Sequence, residues 1–422
     1  MNYLQAAEGV GAWLLATAQR EKQGWWWPVQ PGVSDEGSAG LGWGTAGPVL
    51  FFVEAYRTTG EDRWLAAARE GARLMAHTLD EATRNWAGCG LFTGVGGWAF
   101  VLDELAAASD DRAIAAQSRT VFEAIAGQFE PADHGGHWHG LTEILWGTAG
   151  IGSLLLGPGG RHLGDRSLDL ATRGGEWLLG EAEDAPGGGL RWSLGPGRPA
   201  DRRFPNFAHG TAGIAFFLAR LTDATGDRRF LDAALAGTEW ILSTVRTDDD
   251  TCAAYHHDNG GTEMFTLGWC HGPPGLGWLF RQLELSTGDA SWRTWLRRAA
   301  RSDTTSGIPT QKEPGFWDNV GRCCGSAGVA EFFLDLHTLE ARDEDVAFAR
   351  VMVDDLLTRA VVDETGTRWS NVEFRKDPPD LPAETTYLQG APGIGSTLLR
   401  LHRHLAGDPW VPSWPHAPTW IP

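Results

Sequence analysis

Short, strongly apolar runs recur along the chain, among them VLFFVEAY (49–56), IGSLLL (151–156), IAFFLARL (214–221), LGWLFRQL (276–283) and VAEFFLDLH (329–337). They hold too few polar positions to form a solvated face, so they predict helices buried nearly all round. Between them lie longer segments with a polar stripe at helical spacing. GEDRWLAAAREGARLMAHTLDEA (60–82) and GDRRFLDAALAGTEWILSTV (226–245) share one pattern, with acidic residues where a helix would start. The first amphipathic helix is predicted from Tyr3 to Gln19.

Seven glycine clusters mark the register of this alternation: WGTAG (43–47), TGVGG (93–97), WGTAG (146–150), HGTAG (209–213), HGPPG (271–275), CGSAG (324–328) and QGAPG (389–393). Their first glycines, at 44, 94, 147, 210, 272, 325 and 390, are 50, 53, 63, 62, 53 and 65 residues apart. Most clusters open one of the apolar runs, and small residues there let backbones approach closely. Seven amphipathic and seven buried helices follow. Two rings, inner and outer, use such an alternation, whereas an open solenoid needs polar caps that neither end shows. The fold class expected is all-α, an α/α toroid forming a single domain over residues 1–422. The loops before the inner helices run to about 25 residues, long enough to suggest function. They carry glycine, proline and tryptophan, as in GWWWPVQPG (24–32) and PGGGLRWSLGPGRP (186–199). In a toroid all seven clusters would surround one opening.

Composition narrows the function classes. With 35 basic and 54 acidic residues, the formal net charge is -19, which argues against nucleic-acid binding. No stretch of 18 apolar residues is present, so no membrane span is expected. The N-terminus lacks the basic region of a signal peptide, and five cysteines do not make a disulfide scaffold, so a cytoplasmic location is expected. A closed toroid needs no partner for its core, so a monomer is expected.

The residue before each first glycine is Trp43, Thr93, Trp146, His209, His271, Cys324 and Gln389. One step earlier stand Cys270 and Cys323. Three of the five cysteines thus converge on one stretch of the rim. Three thiolates together repel unless a cation neutralises them, and zinc accepts soft sulfur. Three ligands, Cys270, Cys323 and Cys324, leave a coordination position open, as in catalytic sites. A redox pair and simple packing are the alternatives, and packing is the reading for Cys89 and Cys252. His209 shares the rim position and suits acid–base work near neutral pH. His271 would orient its neighbouring ligand or line the opening. Glu143, four residues before its glycine, falls at the same rim. His134, His137 and His139 look like a metal cluster, but their glycine-rich loop fits surface histidines better.

The motifs AHGTAG (208–213), GWCHGPPG (268–275) and CCGSAG (323–328), in this order and spacing, resemble those of the LanC-like lanthionine cyclases, and the repeat covers essentially the whole chain. The resemblance implies an α/α toroid with one zinc ion held by three residues and a substrate cysteine thiolate in the fourth position. It implies addition of that thiolate to dehydroalanine or dehydrobutyrine of the same peptide, giving a thioether ring. By position, Cys270 and Cys323 match the two cysteine ligands, and Cys324 falls where the family usually has histidine. His209 matches the histidine that protonates or stabilises the enolate. Glu143 resembles a carboxylate position that is often aspartate, and Trp269 matches the tryptophan beside the first ligand. Thr266 stands where some cyclases have arginine, leaving Arg322 or His271 as the cation that would replace it. The WCHG form is closer to LanC-like proteins outside lanthipeptide clusters. The partners implied are a dehydrated precursor peptide and a separate dehydratase or kinase/lyase that supplies it.

Other readings stay open at the level of sequence. The same site would add glutathione or another small thiol to dehydroamino acids. A zinc-bearing peptide-binding scaffold would use the ring without turnover. A glycosidase, by analogy of fold, would need a pair of carboxylates, and Glu143 has no matched partner.

Overall fold

A computed structural model describes residues 2–33, 40–84, 88–196, 203–254, 266–311, 319–372 and 380–408. Residues 197–199 of the second tryptophan-bearing loop lie outside them. Fourteen α-helices occur among the described residues. In chain order they are α1 (Tyr3–Thr17), α2 (Ala46–Thr59), α3 (Asp62–Ala82), α4 (Val95–Ser109), α5 (Arg112–Gly127), α6 (Thr148–Leu155) and α7 (Asp165–Gly180). There follow α8 (Thr211–Thr225), α9 (Arg228–Thr244), α10 (Pro273–Thr287), α11 (Ser291–Thr305), α12 (Ser326–Glu340), α13 (Asp343–Thr358) and α14 (Ala391–Leu405).

The even-numbered helices are the apolar ones, and each begins within its glycine cluster. They form the inner ring: α2 packs on α4, α4 on α6, and so on to α14, which returns to α2. Each inner helix leads into an outer one, except that α14 takes α1 as its outer partner. The first helix of the chain thus completes the last hairpin. The architecture is an α/α toroid, as the alternation predicts. No helix among the described residues is long and apolar enough to cross a membrane.

The second glycine of each cluster is set by close approach. A Cβ at Gly150, Gly213, Gly275, Gly328 or Gly393 would overlap the carbonyl oxygen six residues earlier, of Ile144, Phe207, Trp269, Arg322 or Tyr387. The chain folds back on itself there before entering the inner helix, and only glycine leaves room.

A ring of backbone hydrogen bonds ties these turns together. At six of the seven first glycines the residue two before donates its N–H to the carbonyl of its counterpart in the next repeat. The bonds run Gly42 to Phe92 (2.7 Å), Phe92 to Leu145 (2.9 Å), Ala208 to Cys270 (2.9 Å), Cys270 to Cys323 (3.1 Å), Cys323 to Leu388 (2.8 Å) and Leu388 back to Gly42 (3.3 Å). At the seventh place the Leu145 N–H instead donates to the Glu143 carboxylate at 3.0 Å.

The loops contain structure that the helical pattern does not announce. The first helix ends at Thr17 and not Gln19, because Gln19–Glu21 pairs with Gly24–Trp26 as an antiparallel hairpin. Equivalent hairpins join Glu130–Pro131 to Gly136–His137, Glu183–Asp184 to Leu190–Arg191, and Val361–Asp363 to Gly366–Arg368. A tryptophan directly follows each: Trp27, Trp138, Trp192 and Trp369, all buried. Their indole N–H groups donate to Leu14, Ile125, Leu178 and Leu356 carbonyls at 2.7–2.9 Å. These carbonyls lie in the last turn of the preceding outer helix, and those of Leu14, Ile125 and Leu356 also accept a backbone N–H, from Ala18, Gln128 and Arg359.

The ring interior holds buried charge. Arg322 donates to the Tyr387 hydroxyl at 2.6 Å and pairs with Glu331 at 3.3 Å; Arg400 pairs with Glu331 and Asp335. The Tyr387 hydroxyl donates to Glu54 at 3.2 Å. Burial pushes the Glu54 carboxyl up from 4.5 to about 7, against the opposing pull of Arg322.

Two predictions follow from this packing. Gly150→Ala should lower stability by about 1–3 kcal/mol in urea unfolding, because the new methyl group meets backbone that cannot yield. Glu54→Gln should unfold like wild type near pH 4, where the carboxyl is neutral in both states. Above the ordinary pKa the folded state resists ionisation, so wild type loses stability until the pH passes about 7. By pH 8 the variant should be the more stable by about 3 kcal/mol, a 2.5-unit shift at about 1.4 kcal/mol per unit.

Candidate metal and acid–base site at the ring mouth

The position before each first glycine lines the opening. Trp43, Trp146, His209, His271, Cys324 and Gln389 are each half-buried there, and Thr93 is buried. The residue on either side of each is buried. This alternation aims one side chain per repeat at the mouth.

Cys270, Cys323 and Cys324 come together as the register predicts. Their sulfurs lie within 4.8 Å of one another, the one such cluster of candidate ligands among the described residues. Cys270 and Cys323 are 2% and 4% exposed, and Cys324 opens to the mouth. The ring bonds from Cys270 to Cys323 and from Cys323 to Leu388 fix the backbone at both. Cys270 and Cys324 sulfurs are 3.1 Å apart. So close a set cannot ionise three times without a cation. Hydrogen bonds from Cys270, then Cys323, hold Cys324 well below the usual thiol range. Hydrogen bonds with Cys270 and then Cys324 raise Cys323, and burial adds to them. For Cys270 the bond with Cys323 lowers the thiol, but the bond to Cys324 and burial together outweigh it. The cluster holds one negative charge readily, and a divalent cation would offset the charge of the other two. Three soft donors on buried, fixed backbone suit such an ion.

His209 and Glu143 form the second part of the site. Glu143 is fully buried, and its Oε2 lies 3.2 Å from His209 Nδ1. The carboxylate also accepts the Leu145 N–H on Oε2 and the Trp146 N–H on Oε1 at 2.6 Å. It occupies the seventh place in the backbone ring and orients the imidazole at once. Asn206, four residues before its own glycine as Glu143 is before Gly147, accepts the His209 N–H at 3.0 Å. The His209 ring packs against Trp146 (5.2 Å between centroids), His271 (5.6 Å) and Phe204 (6.4 Å). His271 thus faces the mouth beside His209.

Arg322 does not serve this opening. It is 1% exposed, and its guanidinium is turned into the ring interior toward Tyr387 and Glu331. Of the two cations considered in place of arginine at 266, only His271 stands at the mouth. His139 accepts the Cys89 N–H at 3.0 Å, His137 accepts the Gly140 N–H at 3.1 Å, and with His134 they make no ligand cluster. Cys89 and Cys252 are buried packing residues; burial raises both thiols, that of Cys252 to about 12. Trp269 is buried beside Cys270, against Phe92 and Phe207.

Sequence reasoning gave no role to Gln389, Asn371 or Asn206. Gln389 stood in the rim column, yet its contact with Cys324 depends on how the sixth and seventh turns pack together. Its amide lies 3.3 Å from the Cys324 sulfur, from the seventh repeat to the sixth.

Among solved structures, nisin cyclase matches with a TM-score of 0.65 and 15% identity, over 88% of this chain and 90% of that one. An unsaturated glucuronyl hydrolase specific for heparin matches at 0.50 and 12%, over 96% and 99%. A GH76 alpha-mannanase from Bacteroides thetaiotaomicron matches at 0.50 and 9%, over 97% and 98%. At these identities the likeness is one of fold. No curated protein matches the sequence. The family model described as lanthionine synthetase C-like protein matches residues 36–406, and the chain belongs to that family.

Proposed function

We propose that this protein is a zinc-dependent cyclase. It adds a peptide cysteine thiolate to the β-carbon of dehydroalanine or dehydrobutyrine in the same peptide, giving lanthionine or methyllanthionine. The observation that carries the reading is the pairing, at one mouth, of three converged thiols with a histidine oriented by a buried carboxylate. Family membership and the fold shared with nisin cyclase support it. Glycoside hydrolysis finds no support at the mouth, where Glu143 has both oxygens committed and faces no second carboxylate at the matched positions.

Cys270, Cys323 and Cys324 would hold the ion. Zinc, when bound there, supplies positive charge that keeps a substrate thiol ionised at neutral pH. The remaining work falls to the chain. As the carbon–sulfur bond forms, the double-bond electrons move to the α-carbon and its carbonyl. One proton must then reach the α-carbon. His209 would deliver it from Nε2, the nitrogen that the Glu143 contact at Nδ1 does not engage. The proton lost by the substrate thiol restores the balance, so the product has the mass of the substrate. Glu143 acts through His209 and is a positioning residue. His271, 5.6 Å from His209, is the second donor at the mouth and can stabilise the developing enolate. Trp43 and Trp146 offer apolar surface for the peptide.

A peptide carrying one cysteine and one dehydroalanine tests this. Wild type should convert it to a product of equal mass without a free thiol. His209→Ala should keep its zinc and lose about a hundred- to ten-thousand-fold in kcat. Cys324→Ala should lose most of its zinc and its activity together. A product heavier by one molecule of added glutathione, with the peptide thiol still free, would replace ring closure by intermolecular addition. Unchanged kcat in His209→Ala would remove the acid–base role.

A further inference from the structure

The metal site proposed above would carry an excess of negative charge, and an amide lies against its most open sulfur. Three thiolates around a divalent cation sum to a charge of -1. A sulfur in that state gains from any N–H aimed at it, since hydrogen bonds to an ionised group favour the ionised form. Cys324, the most open of the three, receives one. Gln389 Nε2 lies 3.3 Å from its sulfur.

The direction of that amide is fixed by a chain of contacts. The Val320 N–H donates to Asn371 Oδ1 at 3.1 Å. The other end of that side chain, Nδ2, is therefore its donor end. It gives to the Gln389 backbone carbonyl at 2.6 Å and lies 3.4 Å from Gln389 Oε1. With its oxygen engaged by Asn371, Gln389 must present its NH2 group to the sulfur. Asn371 is 3% exposed, so the chain starts from buried, fixed structure. The path crosses the boundary between repeats: Asn371 reaches back to Val320, at the start of the Cys323–Cys324 turn, and forward to Gln389. The same two turns are tied by the Cys323 N–H to Leu388 carbonyl bond at 2.8 Å.

We infer that Gln389, oriented by Asn371, is a positioning residue that tunes the three-thiolate site, its amide drawing electron density from Cys324 and holding that sulfur in ligating position. The inference rests on the metal-site reading. It assigns the extra charge of the third thiolate to a specific partner, and it makes the sulfur most exposed at the mouth less electron-rich than a bare thiolate.

Cobalt(II) and zinc binding test it without recourse to turnover. Gln389→Leu keeps the bulk and removes the donor. Gln389→Glu keeps the shape and turns an oxygen toward the sulfur. Relative to wild type, Gln389→Leu should bind zinc about 10- to 100-fold more weakly in chelator competition. Gln389→Glu should be weaker still. In the cobalt-loaded protein the sulfur-to-metal charge-transfer band should move to longer wavelength in both, because a sulfur without its N–H gives up an electron more easily. Asn371→Leu should shift the band in the same direction, since Gln389 is then free to turn. Equal zinc affinity and an unmoved band in Gln389→Leu, with wild type binding one metal per chain, would overturn the role of Gln389 and leave the site standing. Wild type that binds neither metal would overturn the site and, with it, this inference. Circular dichroism of each variant separates these outcomes from unfolding, and a band shift in a fully folded variant is an effect that loss of packing does not produce.

Discussion

The cyclic run of backbone hydrogen bonds at the mouth is the constraint on which the rest depends. Six bonds join the same position in successive repeats, among them the return from Leu388 to Gly42. The run joins the seven turns through six bonds and is interrupted between the third and fourth repeats, where Glu143 takes the Leu145 N–H and meets His209, and the rim so formed sets where each side chain goes. The glycine contacts beneath it serve the same end, because each turn fits only when the chain lies against its own carbonyl. Where the run departs from its pattern, at Leu145, the Glu143 carboxylate takes the N–H. The same carboxylate meets His209, so the irregular link of the ring is also part of the site.

This arrangement explains how side chains from repeats far apart in sequence act together. Cys270 and Cys323 are themselves links of the backbone run, and Cys324, His209, His271 and Gln389 each stand one residue beyond a link. A shift of one residue in any repeat would exchange a buried position for a mouth position. The concentration of thiols follows from this geometry. Buried charge in the ring interior is handled separately, by the pairs of Arg322 and Arg400 with Glu331 and Asp335, which leaves the mouth free for chemistry.

The fold was legible because the repeat is marked by residues with a steric reason to be there. Glycine spacing gave the helix count and order, and it placed Cys270, Cys323, Cys324, His209, His271 and Glu143 at one opening. Less legible were features that depend on direction within the register. Arg322 is adjacent to Cys323, yet the turn sends it inward while its neighbours line the rim. The roles of Trp27, Trp138, Trp192 and Trp369 were not legible, and Trp27 and Trp192 stood out only as tryptophans of long loops, because the carbonyls they meet lie 13 or 14 residues upstream at helix ends. The short hairpins before them have too few residues for an alternating pattern to emerge. Contacts between repeats, such as Gln389 with Cys324 across 65 positions, depend on how neighbouring turns pack and leave no mark in the local pattern.

The central claim is that three cysteines, and no histidine, hold the metal at this mouth. X-ray absorption at the zinc edge of the purified, reduced protein tests it most directly. The account predicts three sulfur neighbours at about 2.3 Å and one lighter atom, with a fourth sulfur replacing the lighter atom when a thiol-bearing peptide is added. A first shell of two sulfurs with imidazole scattering would contradict it, placing His271 or His209 on the metal and Cys324 outside the ligand set.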